Sequence, residues 1–224
     1  MTNSEIITAC ERAKTALEGG YNGNALEIIN DLQTAAERAQ RAEKAKASGK
    51  KTIYTAAARI LKNSTAYNGV AARESLLYAY NDGERVTICD GFRAVQFNAE
   101  SAPELPTLPE SMDYVDIGRI IKPATANADA VTLPTVQELK NHIKIEKALK
   151  KANKDKTKPL YILTAESGLK IYTDAQYLLD VLECLPGATA AASARGPLYP
   201  LYFIADNGRG ILCPTKPPKA GENE

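Results

Sequence analysis

The chain of 224 residues reads as an α+β protein. A helical hairpin is expected over residues 1–50, followed by one domain over 51–217 that holds a β-α-β-β-β unit twice. Three observations predict this. Apolar residues recur at helical spacing through the first fifty positions and stop at Ser48-Gly49. Beyond Lys51 the texture changes to short apolar and β-branched runs separated by Asp-Gly and Asn-Gly turns. Two stretches of the later part also align with each other without gaps: Ile53 to Leu61 lies over Ile171 to Leu179, and Leu77 to Gly83 over Tyr202 to Gly208. A single such unit has one sheet face and one helix stripe, too little to bury alone, whereas two side by side can share a core.

In the hairpin, Ser4 can cap a helix whose stripe is Ile6, Ile7, Cys10, Ala13 and Leu17. The run Gly19 to Asn24 breaks it. A second helix is expected over 25–47, with Leu26, Ile29, Leu32, Ala36 and Ala39 along one side. Its later half is Ala-rich and alternates Glu with Arg and Lys, a pattern of a solvated or loosely packed helix.

The first repeat, 51–98, begins with a strand over 52–55 and a helix over 56–63. Strands follow over 76–80 and 85–89 about the Asn81-Asp82-Gly83 turn, then one over 92–97 after Asp90-Gly91. The connection, 99–160, is punctuated by Pro103, Pro106, Pro109, Pro123 and Pro134, with one strand expected over 114–121 and a basic helix over 136–151. The second repeat, 161–217, offers a strand over 169–173 and a helix over 174–185 closed by Pro186-Gly187. Strands are expected over 188–194, 198–205 and 210–214, the last pair turning on Asp206-Asn207-Gly208. Residues 218–224 read as a disordered tail.

Bulk properties exclude more than they select. A net charge of +1 names no partner, and a general nucleic-acid binder is expected to show a basic excess. Four scattered cysteines without a C-x-x-C spacing read as reduced thiols of a cytoplasmic protein. No signal-peptide pattern is visible, and no apolar run approaches the ~20 residues that span a bilayer. The sole histidine, His142, sits in a Lys-rich helix and is expected to face solvent. Nucleotide, metal and nucleophile motifs are absent from the sequence, so a protein without catalytic residues, metal or cofactor is expected.

The helix segment Tyr177-Leu-Leu-Asp-Val-Leu182, the turn Cys89-Asp-Gly-Phe-Arg93 and the ending Gly210-Ile-Leu-Cys-Pro214 together resemble the bacterial DNA sliding clamps, the β subunits of DNA polymerase III. The resemblance implies one DNA-clamp-like domain. It departs from the family in having Phe92 for a histidine, Cys213 for a methionine, and room for one domain where a clamp subunit has three. Six such domains make a clamp ring, so six copies of this chain would be needed.

In the family a groove that takes partner peptides forms around the matching positions, here Cys89, Gly91, Phe92, Arg93, Ala94, Ile211, Cys213 and Pro214. The other reading makes these core and turn residues. Clamp helices also present Lys and Arg to phosphates, yet the second-repeat helix is expected to turn Asp174, Asp180 and Glu183 outward, where they would repel them. Positive charge sits instead at Lys140, Lys144, Lys147, Lys150, Lys151 and Lys154, continued by Lys156 and Lys158. This is either a DNA-contacting arm or a solvated helix packed through Leu139, Ile143 and Ala148. The resemblance thus implies a replication or DNA-processing accessory that binds partner proteins, contacts duplex DNA weakly and can form oligomers. The alternative is an interaction protein that uses the fold as a scaffold.

Overall fold

A computed structural model describes residues 3–63, 74–114, 128–193 and 195–217. The chain falls into two units, 1–51 and 52–224.

The first unit is a pair of helices, α1 (Asn3–Glu18) and α2 (Asn22–Ala47). Between them Gly20 takes φ +76°, and the Tyr21 N–H reaches back to the Ala16 carbonyl at 2.8 Å. That is the left-handed helix ending glycine allows without steric penalty. Among the described residues of this unit, Ala13, Ala25 and Ala45 are buried. The expected apolar stripes are packed only in part: Ile6, Leu17, Leu26 and Ile29 are 42%, 52%, 60% and 44% exposed.

The second unit opens with α3 (Lys51–Asn63). The strand expected over 52–55 is therefore helix. Tyr54, Ala57, Ile60 and Leu61 are buried at three- and four-residue spacing, so one helical stripe runs through the whole segment. Five short strands complete this half and cross the connection: β1 (Tyr80–Asn81), β2 (Arg85–Cys89), β3 (Arg93–Asn98), β4 (Ala128–Val131) and, after α4 (Val136–Ala152), β5 (Leu160–Thr164). The strand expected over 76–80 is a 3₁₀ turn, Glu74–Leu77, that leads into β1. The strand expected over 114–121 lies, beyond Tyr114, outside the described residues, as does the tail 218–224. The remaining elements are β6 (Lys170–Asp174), α5 (Ala175–Cys184), β7 (Thr189–Ser193), β8 (Leu201–Ala205) and β9 (Gly208–Leu212).

Seven strands form one antiparallel sheet in the order β1-β2-β3-β9-β8-β7-β4, and β5 pairs with β6 separately. Its centre is the β3–β9 pair, which sets β1-β2-β3 against β7-β8-β9. Two parts of the expected repeat are corrected. Ile53 and Tyr54 are helical while Ile171 and Tyr172 lie in β6, so the first repeat has no strand ahead of its helix. The sheet order also matches the 90–91 turn, not the 82–83 turn, to the turn at 206–207.

Ile88, Val95, Gly210, Phe203, Ala190 and Val131 stand in one cross-strand row, all buried, on the face that α5 covers. Ala175, Leu178, Val181, Leu182 and Leu185 supply the core side of that helix region. Leu182 is only 6% exposed. Leu182→Ala is expected to destabilise by about 2–5 kcal/mol through lost transfer energy and a residual cavity. A denaturant midpoint shift worth only a few tenths of a kcal/mol would place this side chain outside the core.

Candidate functional site

The turn between β2 and β3 is built by Asp90. Its Oδ1 accepts from the backbone N–H groups of Phe92 and Arg93, both at 2.9 Å, and Gly91 takes φ +89°. This turn aims Arg93 inward, where it is 2% exposed. Its Nε donates to Asp90 Oδ2 at 3.0 Å and its Nη1 to Asp180 Oδ2 on α5 at 2.6 Å. The guanidinium also lies over the Tyr177 ring, 4.2 Å from its centre. Phe92 meets the same ring from a tilted angle at 5.7 Å.

Asp180 is shared. Arg59 of α3 donates from Nε to its other oxygen at 2.6 Å and from Nη2 to Glu183. Burial pushes the Asp180 carboxyl above its ordinary range, and the charges of Arg93 and Arg59 oppose that push. Glu183 also takes Lys140 of α4 at 2.7 Å. Asp174 caps α5, accepting from the N–H groups of Gln176 and Tyr177, and pairs with Lys158 at 3.3 Å. Lys158 further donates to the Tyr177 hydroxyl at 2.9 Å.

The acids at the cap and along α5 are expected from the sequence to turn outward, and that expectation is corrected. Asp174, Asp180 and Glu183 are 3%, 1% and 7% exposed, each with a cation from another element. The apolar pattern Leu178, Leu179, Leu182, Leu185 left the acids on the remaining face, but nothing local revealed that α4 and Arg59 cover it. Arg59 and Tyr177 were not among the expected site residues. Arg59 projecting from an apolar helix stripe was the available signal.

The groove candidates separate across the sheet. Arg93 faces α5, so its guanidinium is not an open peptide contact; that expectation is corrected. Ala94 and Ile211 face the opposite side as a buried pair, with Cys89, Tyr114 and Tyr202 packed on them. The Tyr114 hydroxyl donates to the Thr87 carbonyl, and its ring stacks on Tyr80 at 5.3 Å. Cys213 and Pro214 follow β9 in a strap tied at both ends: the Cys213 N–H donates to the Phe92 carbonyl at 2.7 Å and the Thr215 N–H to the Tyr172 carbonyl at 2.8 Å. Gly91 is exposed at the tip of its turn. Burial pushes the Cys89 thiol up to about 11 and raises that of Cys213, which suits packing more than nucleophilic chemistry.

No family model matches the chain, and no curated protein sequence matches it. Among solved structures, it is similar to the DnaN sliding clamp (DNA polymerase III subunit beta) from Bartonella birtlesii bound to griselimycin, at 13% identity over 59% of this chain and 54% of that one, TM-score 0.44. It is also similar to the DNA polymerase III beta chain from Streptococcus pneumoniae (14% identity, 74% and 63% covered, TM-score 0.44) and to the DNA polymerase sliding clamp from Pseudomonas aeruginosa (12%, 73% and 65%, 0.43). The chain spans less than two thirds of the length of each.

The basic helix α4 starts at a capping box, with the Glu138 N–H donating to Thr135 Oγ1 at 3.2 Å and the Thr135 N–H to Glu138 at 2.8 Å. Thr135-x-x-Glu138 was a readable start signal. Leu139 and Ile143 are buried as expected, but Ala148 is exposed. His142 is not a solvent group: Nε2 makes a 2.7 Å hydrogen bond with the Leu160 carbonyl, holding α4 to β5. Of the six lysine candidates, Lys140 is committed to Glu183 and Lys150 to Asp155 at 2.9 Å. Lys144, Lys147 and Lys151 are exposed at four- and three-residue steps of one helix face, and exposed Lys154 ends the helix at φ +55°. Among the described residues no helix is long and apolar enough to cross a membrane.

Proposed function

We propose that the chain is a clamp-like, non-enzymatic accessory of DNA replication or DNA metabolism that acts through protein contacts and touches duplex DNA weakly through α4. One observation carries this reading: the Arg93–Asp180 ion pair. It joins the turn Cys89-Asp-Gly-Phe-Arg93 to the helix Tyr177-Leu-Leu-Asp-Val-Leu182, the two segments whose sequences resemble the sliding clamps. The resemblance therefore rests on one connected piece of structure and not on two separate coincidences.

The acidic helix no longer argues against DNA contact. Its carboxylates are neutralised, and α4 lies over it. The phosphate-facing role falls to Lys144, Lys147, Lys151 and Lys154, whose ammonium groups make a sequence-independent contact. With a net charge of +1, affinity for duplex DNA is expected in the non-specific range of about 10⁻⁴ to 10⁻⁶ M at physiological salt. Fluorescence anisotropy should show binding that weakens steeply with salt and disappears when those four lysines become glutamate. Tight binding that survives both treatments would overturn the assignment of α4.

A second reading is favoured by the apolar side chains exposed on the hairpin, Ile6, Leu17, Leu26 and Ile29. It makes the hairpin the interaction surface and the larger domain its scaffold. Solution mass separates the two. Six copies are expected of a closed ring, whereas a monomer or dimer favours the scaffold.

A further inference from the structure

We propose that the sheet face opposite α5 carries a carboxylate-binding site, formed by Arg85 and Arg209, for an acidic protein segment that bears an apolar residue beside its acid. The site is independent of the α4 surface.

The register puts Thr87, Gln96, Arg209 and Ile204 directly opposite one another on β2, β3, β9 and β8, with Arg85 two residues before Thr87 on the same face of β2. Arg85 Nη1 donates to Gln96 Oε1 at 2.9 Å, and Arg209 Nε donates to the same oxygen at 2.8 Å. Gln96 is 7% exposed, and its Nε2 donates to Thr87 Oγ1 at 3.0 Å, which fixes the amide with its oxygen toward both arginines. Two positive groups are thus gathered on one neutral acceptor. Neither makes an ion pair with a carboxylate among the described residues. Partial burial and the neighbouring charge of Arg85 lower the pKa of Arg209.

Each guanidinium has five N–H donors in a planar fork, so donors remain for a ligand after the contact to Gln96. A carboxylate placed between the two forks would relieve the repulsion and accept charge-assisted hydrogen bonds. The same depression, about 270 Å³, is bordered by Tyr202 and by Ile204, which is 59% exposed. Neighbouring strands lie about 4.8 Å apart, so an acid held at Arg209 leaves an adjoining apolar residue over Ile204. That apolar wall favours a peptide over a phosphate backbone.

The test uses the full chain and a fluorescein-labelled hexapeptide alternating leucine with aspartate, read by anisotropy beside the same peptide carrying asparagine. The aspartate peptide is expected to bind at least tenfold more tightly. Arg85→Gln and Arg209→Gln should each weaken it at least fivefold. Ile204→Asp, a change at an exposed position that leaves the core untouched, should weaken it at least tenfold. Circular dichroism confirms that each variant is folded. Equal affinity for the two peptides, no binding by the unaltered chain, or full binding by folded Ile204→Asp would each overturn the proposal. So would complete displacement by 10 mM inorganic phosphate with no preference for leucine over serine in the peptide, which would mark a simple anion site.

Discussion

Replacing Arg93 by methionine is expected to destabilise the larger domain by about 3–5 kcal/mol, because two buried carboxylates lose their shared cation. The side chains of Asp90 and Asp180 are 0% and 1% exposed, and Arg93 itself is 2% exposed. Methionine fills much of the same volume, so the loss is chiefly electrostatic: Asp90 keeps its backbone donors, and Asp180 keeps Arg59 and Gln176. Lysine at 93 retains the charge but not the fork that reaches both acids, and should fall between methionine and the parent. Against a total stability of about 5–15 kcal/mol for a domain, the methionine variant should show a large drop in urea midpoint at an unchanged slope. A cost below about 1 kcal/mol would mean that the Arg93 network contributes little beyond a hydrophobic replacement, an outcome buried ion pairs do sometimes give. In the same variant the strap at Cys213 should loosen, since Phe92, which accepts its N–H, is held by the turn that Arg93 closes.

The parts of this fold that were legible in the sequence are those specified locally. The strand Arg85–Cys89 has its Asp-Gly turn behind it, and α4 and α5 have continuous stripes and polar starts at Thr135 and Asp174. What was not legible depended on distant partners. Ala128–Val131 is a strand because Thr189–Ser193 lies beside it. Leu160–Thr164 is different: it had a readable signal, the Ser167-Gly168 turn with Gly168 at φ +86°, which closes a hairpin with Lys170–Asp174. The segment Lys51-Thr-Ile-Tyr-Thr55 fits a strand by residue type. It is helical because Tyr54 and Ala57 continue the stripe of Ile60 and Leu61, so packing overrides β-propensity. The site was half legible for the same reason. The motifs containing Arg93 and Asp180 were recognisable, but their being joined, and the acids being neutralised by Arg59 and Lys140, required the fold to bring α3, α4 and α5 together.

Gly208→Ala is expected to cost about 3 kcal/mol or more, adding overpacking of about 1–3 kcal/mol to backbone strain of similar size. Gly208 begins β9 at φ +156° and stands opposite Phe97 on β3, at the pairing that joins the two halves of the sheet. A methyl group there would meet Phe97 Cα at 2.9 Å and the Gln96 carbonyl oxygen closer still. Both are backbone atoms of a central strand, so neither can rotate away, and the sheet would have to part where its core row is buried. Gly91→Ala is the internal control. It too has a positive φ, +89°, but nothing lies within 4 Å of the added carbon, so only the strain of a left-handed residue, about 1–2 kcal/mol, should appear. Thermal or urea unfolding of the two variants side by side should give a clear gap, with Gly208→Ala the less stable. Equal losses would mean that β3 and β9 do not approach as closely at Phe97 and Gly208 as their register requires, and the central pairing would need to be redrawn.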